Sequence, residues 1–293
     1  MSDGSGATRP PRERRASRSR RTIELLLDSF IRPGHWAAKL AYPLGLQGRV
    51  RSSTTEIRLA SRPPGAAPLR LAFASDFHAG GTTDSRLLTD ACELLTAFKP
   101  DVLLLGGDFV SVRASYIDQL APEIGAIPAP FGKYAVLGNH DLRADYDRIV
   151  RRLEQAGVEM LTNRHVSLPP PFDDITVCGL DDPTHGWPDA GAALDGVSGT
   201  RIVVMHSPEG LRALAGRRFD LALCGHTHGG QIAAPWGQAI LLPSGPLNRQ
   251  YSRGWFELDG GVSRTMLVSR GVGCSTVPVR LFAAPEVHLC LIV

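Results

Sequence analysis

An α/β fold with a largely parallel or mixed sheet is predicted by three features of this chain. From about residue 54 to residue 228, short apolar runs of strand length alternate with amphipathic runs of helical period, the signature of strands joined by crossover helices. After His228 the pattern turns strand- and loop-rich to the end. The composition, 43% apolar and 21% charged over 293 residues, is that of an ordinary soluble domain with enough chain for a substantial core.

Taken in order, residues 1–21 are Ser, Arg, Pro and Gly with little to bury, and disorder is expected there. They hold seven arginines against Asp3 and Glu13, a net +5, so the rest of the chain stands at −2 for the whole to reach +3. The body is near neutral, which argues against specific nucleic-acid binding; the tail alone would bind nucleic acid only non-specifically. Residues 22–48 form an amphipathic helical segment. Ile23, Leu26, Leu27, Phe30 and Ile31 have helical spacing, Pro33-Gly34 stops that run, and Trp36, Leu40 and Leu44 mark a weaker second one. Two readings stand for this segment: it lies in a membrane interface beside anionic lipid, or it packs on its own domain.

Residues 49–293 are expected to be one domain. Strands are predicted at Glu56–Ala60, Leu69–Ser75, Val102–Leu105, Tyr134–Leu137, Ile175–Gly179, Arg201–Met205 and Leu221–Cys224, with "EVHLCLIV" closing the chain. Helices are predicted near Ser85–Phe98, Ser115–Ile124, Asp145–Ala156 and Glu209–Ala215. The five cysteines are scattered without a CxxC, which fits a reducing compartment and neither a disulfide framework nor a thiolate zinc cage. The stretch "SRRTIELLLDSFIRPGHW" has the look of a twin-arginine signal, but Glu24, Asp28 and Arg32 interrupt its apolar run. The expected location is the cytoplasm, including its membrane face.

Five apolar runs end in the same chemistry. "LRLAFASDFH" stops at Asp76 and His78, "DVLLLGGDFV" at Asp108, "GKYAVLGNHD" at Asn139-His140-Asp141, "RIVVMHSP" at His206, and "FDLALCGHTH" at His226 and His228. One Asp or His after a strand is an everyday cap or turn residue. Five in the same sense point to the crevice at the carboxyl ends of the strands, where α/β sheets bind ligands. Asp, Asn and His without Cys suit Mn, Fe or Zn. Asp76, His78, Asp108, Asn139, His206, His226 and His228 exceed the needs of one ion, so a pair sharing a bridging carboxylate is expected.

These motifs, over about residues 70–230, resemble those of the calcineurin-like metallophosphoesterase superfamily. The resemblance implies a four-layer α/β sandwich, two mixed β-sheets flanked by helices, with two divalent ions at the strand ends. It implies that Asp76, His78 and His228 hold one ion, that Asn139, His206 and His226 hold the other, and that Asp108 bridges them. It gives His140 the catalytic place beside the scissile phosphate, and Asp141 either orients that ring or caps a helix. The nucleophile would be a metal-bridging hydroxide.

The tail "GHTHGGQIAAPWG…LLPSG…YSRGWFE" resembles a bacterial subgroup of cell-wall- and membrane-associated phosphodiesterases, some of which cleave the pyrophosphate of UDP-diacylglucosamine. The expected activity is therefore hydrolysis of a phosphodiester or pyrophosphate on a small-molecule or lipid substrate. A phosphomonoesterase or protein phosphatase, or a scaffold without catalysis, are the alternatives. Arg249, Arg253 and Arg270 are candidate substrate-binding residues, because Arg reads phosphate bidentately; Arg280 lies in the same tail. Cys224 is expected to be a buried strand residue, and His165, His185 and His288 to be structural. Asp181, Asp182 and Trp187 sit in a loop that would overhang the site.

Overall fold

Period-two alternation sorts the apolar side chains of each strand onto two faces, and both faces find a partner. The computed structural model describes residues 26, 29–30, 35–258 and 264–293. The tail over residues 1–21 lies outside them, as do Ile23, Leu27 and Ile31 of the first amphipathic run.

The strands are β1 (Arg51–Ile57), β2 (Leu69–Ala74), β3 (Val102–Leu105), β4 (Lys133–Ala135), β5 (Glu159–Met160), β6 (Arg164–Ser167), β7 (Ile175–Gly179), β8 (Thr200–Val204), β9 (Leu221–Cys224), β10 (Gly254–Leu258), β11 (Arg264–Val268) and β12 (Glu286–Ile292). They form two six-stranded sheets, ordered β1-β12-β2-β3-β4-β5 and β10-β11-β9-β8-β7-β6. Both are mixed. In the first, β2 to β5 run parallel and β12 is antiparallel to β2. In the second, β11, β9, β8 and β7 run parallel between antiparallel edges β10 and β6.

The odd and even residues of each strand separate as the pattern requires. Leu71, Phe73, Val102 and Leu104 of the first sheet meet Val177, Ile202, Val204, Leu221 and Leu223 of the second in one central core. Their neighbours Ala72, Ala74, Leu103 and Leu105 face the helices instead. Those helices are α2 (Ser85–Ala97), α3 (Ile117–Ala126) and α5 (Tyr146–Gln155); α1 (Trp36–Ala41) and α4 (Asn139–Arg143) are shorter. On the far side, Cys178, Val203, Ala222 and Cys224 pack under α6 (Ala190–Leu194) and Phe219. The result is the four-layer sandwich, with each buried Leu or Phe contributing roughly 1.5–3 kcal/mol.

Helix α2 shows why local sequence suffices for some elements. Asp84 caps it by accepting from the Arg86 N–H at 3.0 Å, and Leu87, Leu88, Ala91, Cys92 and Leu95 form its buried stripe. Elsewhere the expected bounds move. The strand expected over Glu56–Ala60 is β1, Arg51–Ile57, a polar and mostly exposed edge held by its parallel ladder to β12. The helix expected over Glu209–Ala215 is a 3₁₀ turn, Pro208–Arg212, in which Gly210 sits against Met205. The N-terminal segment turns its small residues inward: Ala38 and Ala41 are buried while Trp36, Leu40 and Leu44 are exposed. Among the described residues no helix is long and apolar enough to cross a membrane.

Candidate metal centre

The parallel strands β2, β3 and β4 of one sheet and β8 and β9 of the other deliver their carboxyl ends to one place. There Asp76, His78, Asp108, Asn139, His206, His226 and His228 are all buried. Asp76, His78, Asp108, His226 and His228 take positive φ, between 44° and 71°. Each such residue costs on the order of 1–3 kcal/mol, so the surroundings must hold it. Hydrogen bonds between the loops do so: Asp76 N donates to Gly107 O at 2.8 Å and His78 N to Asp108 O at 3.0 Å. The His226 N–H donates to the Asp76 carboxylate at 3.0 Å. Glycine is needed where backbone passes the carboxylates, since a Cβ at Gly225 would overlap Asp76 Oδ2 and one at Gly138 would overlap Asp108 Oδ1.

The donor atoms fall into two clusters that share one residue. Nε2 of His228 lies 3.0 Å from Nε2 of His78 and 3.4 Å from Asp76 Oδ1. Nε2 of His206 lies 3.1 Å from Nδ1 of His226 and 3.1 Å from Asn139 Oδ1. Between them, Asp108 Oδ2 is 3.5 Å from His78 Nε2 and 3.3 Å from His206 Nε2. Ligands bound to one ion at about 2.1 Å sit about 3.0–3.4 Å apart in octahedral or tetrahedral geometry. Most of the spacings fall in that range, with 3.5 Å from Asp108 to His78 and 4.0 Å from Asp76 to His78 the wider ones, and the grouping places Asp76, His78 and His228 together, Asp108, His206 and His226 together. These side chains are suited to a dinuclear site.

Protonation states agree with that use, because metal ligands must be deprotonated. Burial holds His78 and His228 well below the usual imidazole range, reinforced by the neighbouring imidazoles, and takes His226 down to about 3. Burial opposes ionisation of Asp108, yet His206, His140 and His78 outweigh it and keep the carboxylate ionised. Burial raises Asp76 to about 6, opposed by His206 and by the Ser75 hydroxyl, which donates at 2.6 Å. His206 is the exception: burial lowers it, but Asp108 holds its pKa well above the ordinary value. Its Nδ1 lies 2.8 Å from Gly106 O, an acceptor only, so Nδ1 carries a proton and Nε2 is the atom turned to the centre.

His140 stands beside this centre, its ring 4.7 Å from that of His78. Its Nδ1 donates to the Ser111 carbonyl at 2.6 Å, which fixes the ring from that side. This changes the part expected of Asp141. Instead of the His140 ring, its carboxylate accepts from the backbone N–H groups of Phe109, Val110 and Gly138 at 2.9, 3.2 and 3.0 Å. It ties the loop after β3 to the start of α4, the capping alternative, because the carboxylate is fully buried among those amides. Burial and the charge of Asp108 push it up to about 8.

The candidate arginines part company. Arg253 and Arg270 line a cavity with Arg51 and Arg280, whereas Arg249 is exposed on α7 (Pro246–Gln250) and does not line it. Arg280 is buried, and its Nη2 lies 3.1 Å from Nδ1 of His228. Asp181 and Asp182 do not overhang the site as exposed groups: both are buried, while Trp187 is exposed. Cys224 is a buried strand residue, and His288 bridges Ser53 and Ser269. Ser75, Ser111 and the Gly106 carbonyl were not singled out in the sequence; their only signal is adjacency to the motifs.

Comparison with known proteins follows the same motifs. The family model for calcineurin-like phosphoesterase matches residues 69–230. The phosphodiesterase YaeI of Escherichia coli is 32% identical over 244 residues, covering 79% of this chain and 85% of that one. The metallophosphoesterase YkuE of Bacillus subtilis is 29% identical, covering 80% and 83%. The UDP-2,3-diacylglucosamine pyrophosphatase LpxG of Chlamydia trachomatis is 24% identical, covering 75% and 82%.

Proposed function

Because the chain belongs to the calcineurin-like phosphoesterase family, and is a hydrolase of phosphoester bonds, we propose that it cleaves a phosphodiester or pyrophosphate bond with a pair of divalent ions. The substrate is a lipid-linked one of the kind named for the chlamydial relative, UDP-2,3-diacylglucosamine. The observation that carries the reading is Asp108 Oδ2, poised between His78 and His206. Mn, Fe or Zn suits the oxygen and imidazole donors. When bound, such a pair supplies an activated water and neutralises phosphate charge.

The protein's own groups do the rest. Asp76, His78 and His228 would hold one ion, Asn139, His206 and His226 the other, and Asp108 both. His140 presents Nε2 to the phosphate, stabilises the charge that develops and returns a proton to the leaving oxygen. With Nδ1–H held by the Ser111 carbonyl, the form that gives a proton from Nε2 is the imidazolium, which leaves the reaction as the neutral ring. Five buried free cysteines fit a reducing compartment, so the enzyme acts in the cytoplasm, meeting its substrate peripherally at the inner membrane face.

The test is hydrolysis of bis-p-nitrophenyl phosphate beside p-nitrophenyl phosphate with Mn, repeated after chelation. Diester hydrolysis that disappears with chelator is expected. A preference for the monoester would instead assign a phosphatase.

A further inference from the structure

Beside His228 lies an open cavity of about 500 Å³ lined by Arg51, Arg253, Arg270 and Arg280, with Trp236 and Phe282. Four arginines line it, and two of them, Arg51 and Arg253, have no acidic partner among the described residues. Arg270 pairs with Glu286. Arg280 spends its N–H groups on the carbonyls of Gly273, Ala283 and Arg270 and on His228. Among the described residues no carboxylate lies within ion-pair distance of Arg51 or Arg253. Like charges gathered in a cavity repel one another, and the chemistry that relieves them is a multivalent oxyanion bound by planar guanidinium forks.

The cavity adjoins the metal centre. A Cβ at Gly229, next to His228, would press on Arg270 and lie against Arg253, and Arg280 touches His228 itself. Two exposed aromatic side chains, Trp236 and Phe282, also line the cavity. Trp236 is 77% exposed and Phe282 59%, and Ile240 and Leu241 are also exposed. Their segments are joined: Ala233 N donates to Leu281 O, Ile240 N to Ile232 O, and Arg280 N to Leu46 O of the N-terminal segment. Arginines inside a collar of exposed aromatic and aliphatic side chains complement a lipid interface, anionic at the headgroup and apolar below it.

We propose that this cavity is a phosphate subsite for an amphiphile. The phosphate is held by Arg51, Arg253 and Arg270, while Trp236 and Phe282 enter the surface of an anionic bilayer. The shared chemistry is a phosphate ester, from a lipid headgroup or from solution, and the collar selects the lipid. The inference rests on the lipid-linked reading of the function.

The test uses the full-length, metal-loaded protein and its tryptophan emission. Vesicles of phosphatidylcholine carrying brominated acyl chains are added, with and without phosphatidic acid, and inorganic phosphate is titrated separately. Quenching that needs phosphatidic acid and is largely lost in Trp236→Phe is expected. The double variant Arg51→Glu, Arg253→Glu should weaken vesicle affinity by roughly thirtyfold or more. The basic tail is present throughout, so the difference belongs to the cavity, and circular dichroism checks the fold. Quenching equal on neutral vesicles, or unchanged in these variants, overturns the subsite. A Trp236-dependent response to inorganic phosphate without vesicle binding overturns the lipid source. Diester hydrolysis without lipid quenching sinks the subsite alone; quenching without hydrolysis sinks the proposed activity alone.

Discussion

His140 is anchored by the Ser111 carbonyl with its ring against that of His78, so in the proposed role its removal should spare the ions and cost the chemistry. His140→Ala is expected to keep its metal content, by elemental analysis, while turnover falls by roughly 10²–10⁴-fold. Metal loss would instead make His140 a ligand. Asp108 behaves differently, because the same oxygen faces His78 and His206. Asp108→Asn should weaken both ions together, each by at least about tenfold, since even partners one step removed from a metal cost 10–100-fold. Loss of one ion alone would refute the bridge. The seven donors could be named from the sequence because strand ends ordered the motifs. Ser111 could not, since its contribution is a backbone carbonyl that no residue type announces.

At the scale of elements, Asp141 joins the loop after β3 to the start of α4. Asp141→Ala would leave the amides of Phe109, Val110 and Gly138 without their acceptor, a cost of about 3 kcal/mol or more. The thermal midpoint should fall by roughly 5–10 °C, and metal affinity with it, because Asp108 belongs to the same loop. An unchanged midpoint would show that water replaces the carboxylate. Strands such as β3 and β9 were legible as short continuous apolar runs that stop at glycine and polar residues. The edge strand β1 was not: "RSSTTE" carries no hydrophobic pattern, and only its ladder to β12, far along the chain, makes it a strand. The arginine cavity was equally hidden, since Arg51 and Arg253 are far apart in sequence.

For the whole molecule, the centre lies where both sheets end, so ions there should clamp one sheet to the other. If two ions each stand at about a hundredfold their dissociation constants, linkage adds roughly 5 kcal/mol. Adding Mn to chelated protein should therefore raise the thermal midpoint by roughly 10 °C or more, and Asp108→Asn should blunt that rise. An equal midpoint with and without metal would mean the centre does not bind ions in the folded state.

By itself the sequence determined the α/β class, the order of the main strands, and which side chains would meet at their ends. It could do so because apolar runs and helical periods are local patterns, and because the polar residues that end the runs are few. Only the tertiary structure decided that Asp141 serves backbone amides and Ser111 the His140 ring, and that four arginines share one cavity. Those are contacts between loops and segments distant in sequence, set by the packing of two sheets, and no periodicity within a segment encodes which partner the fold will bring to it.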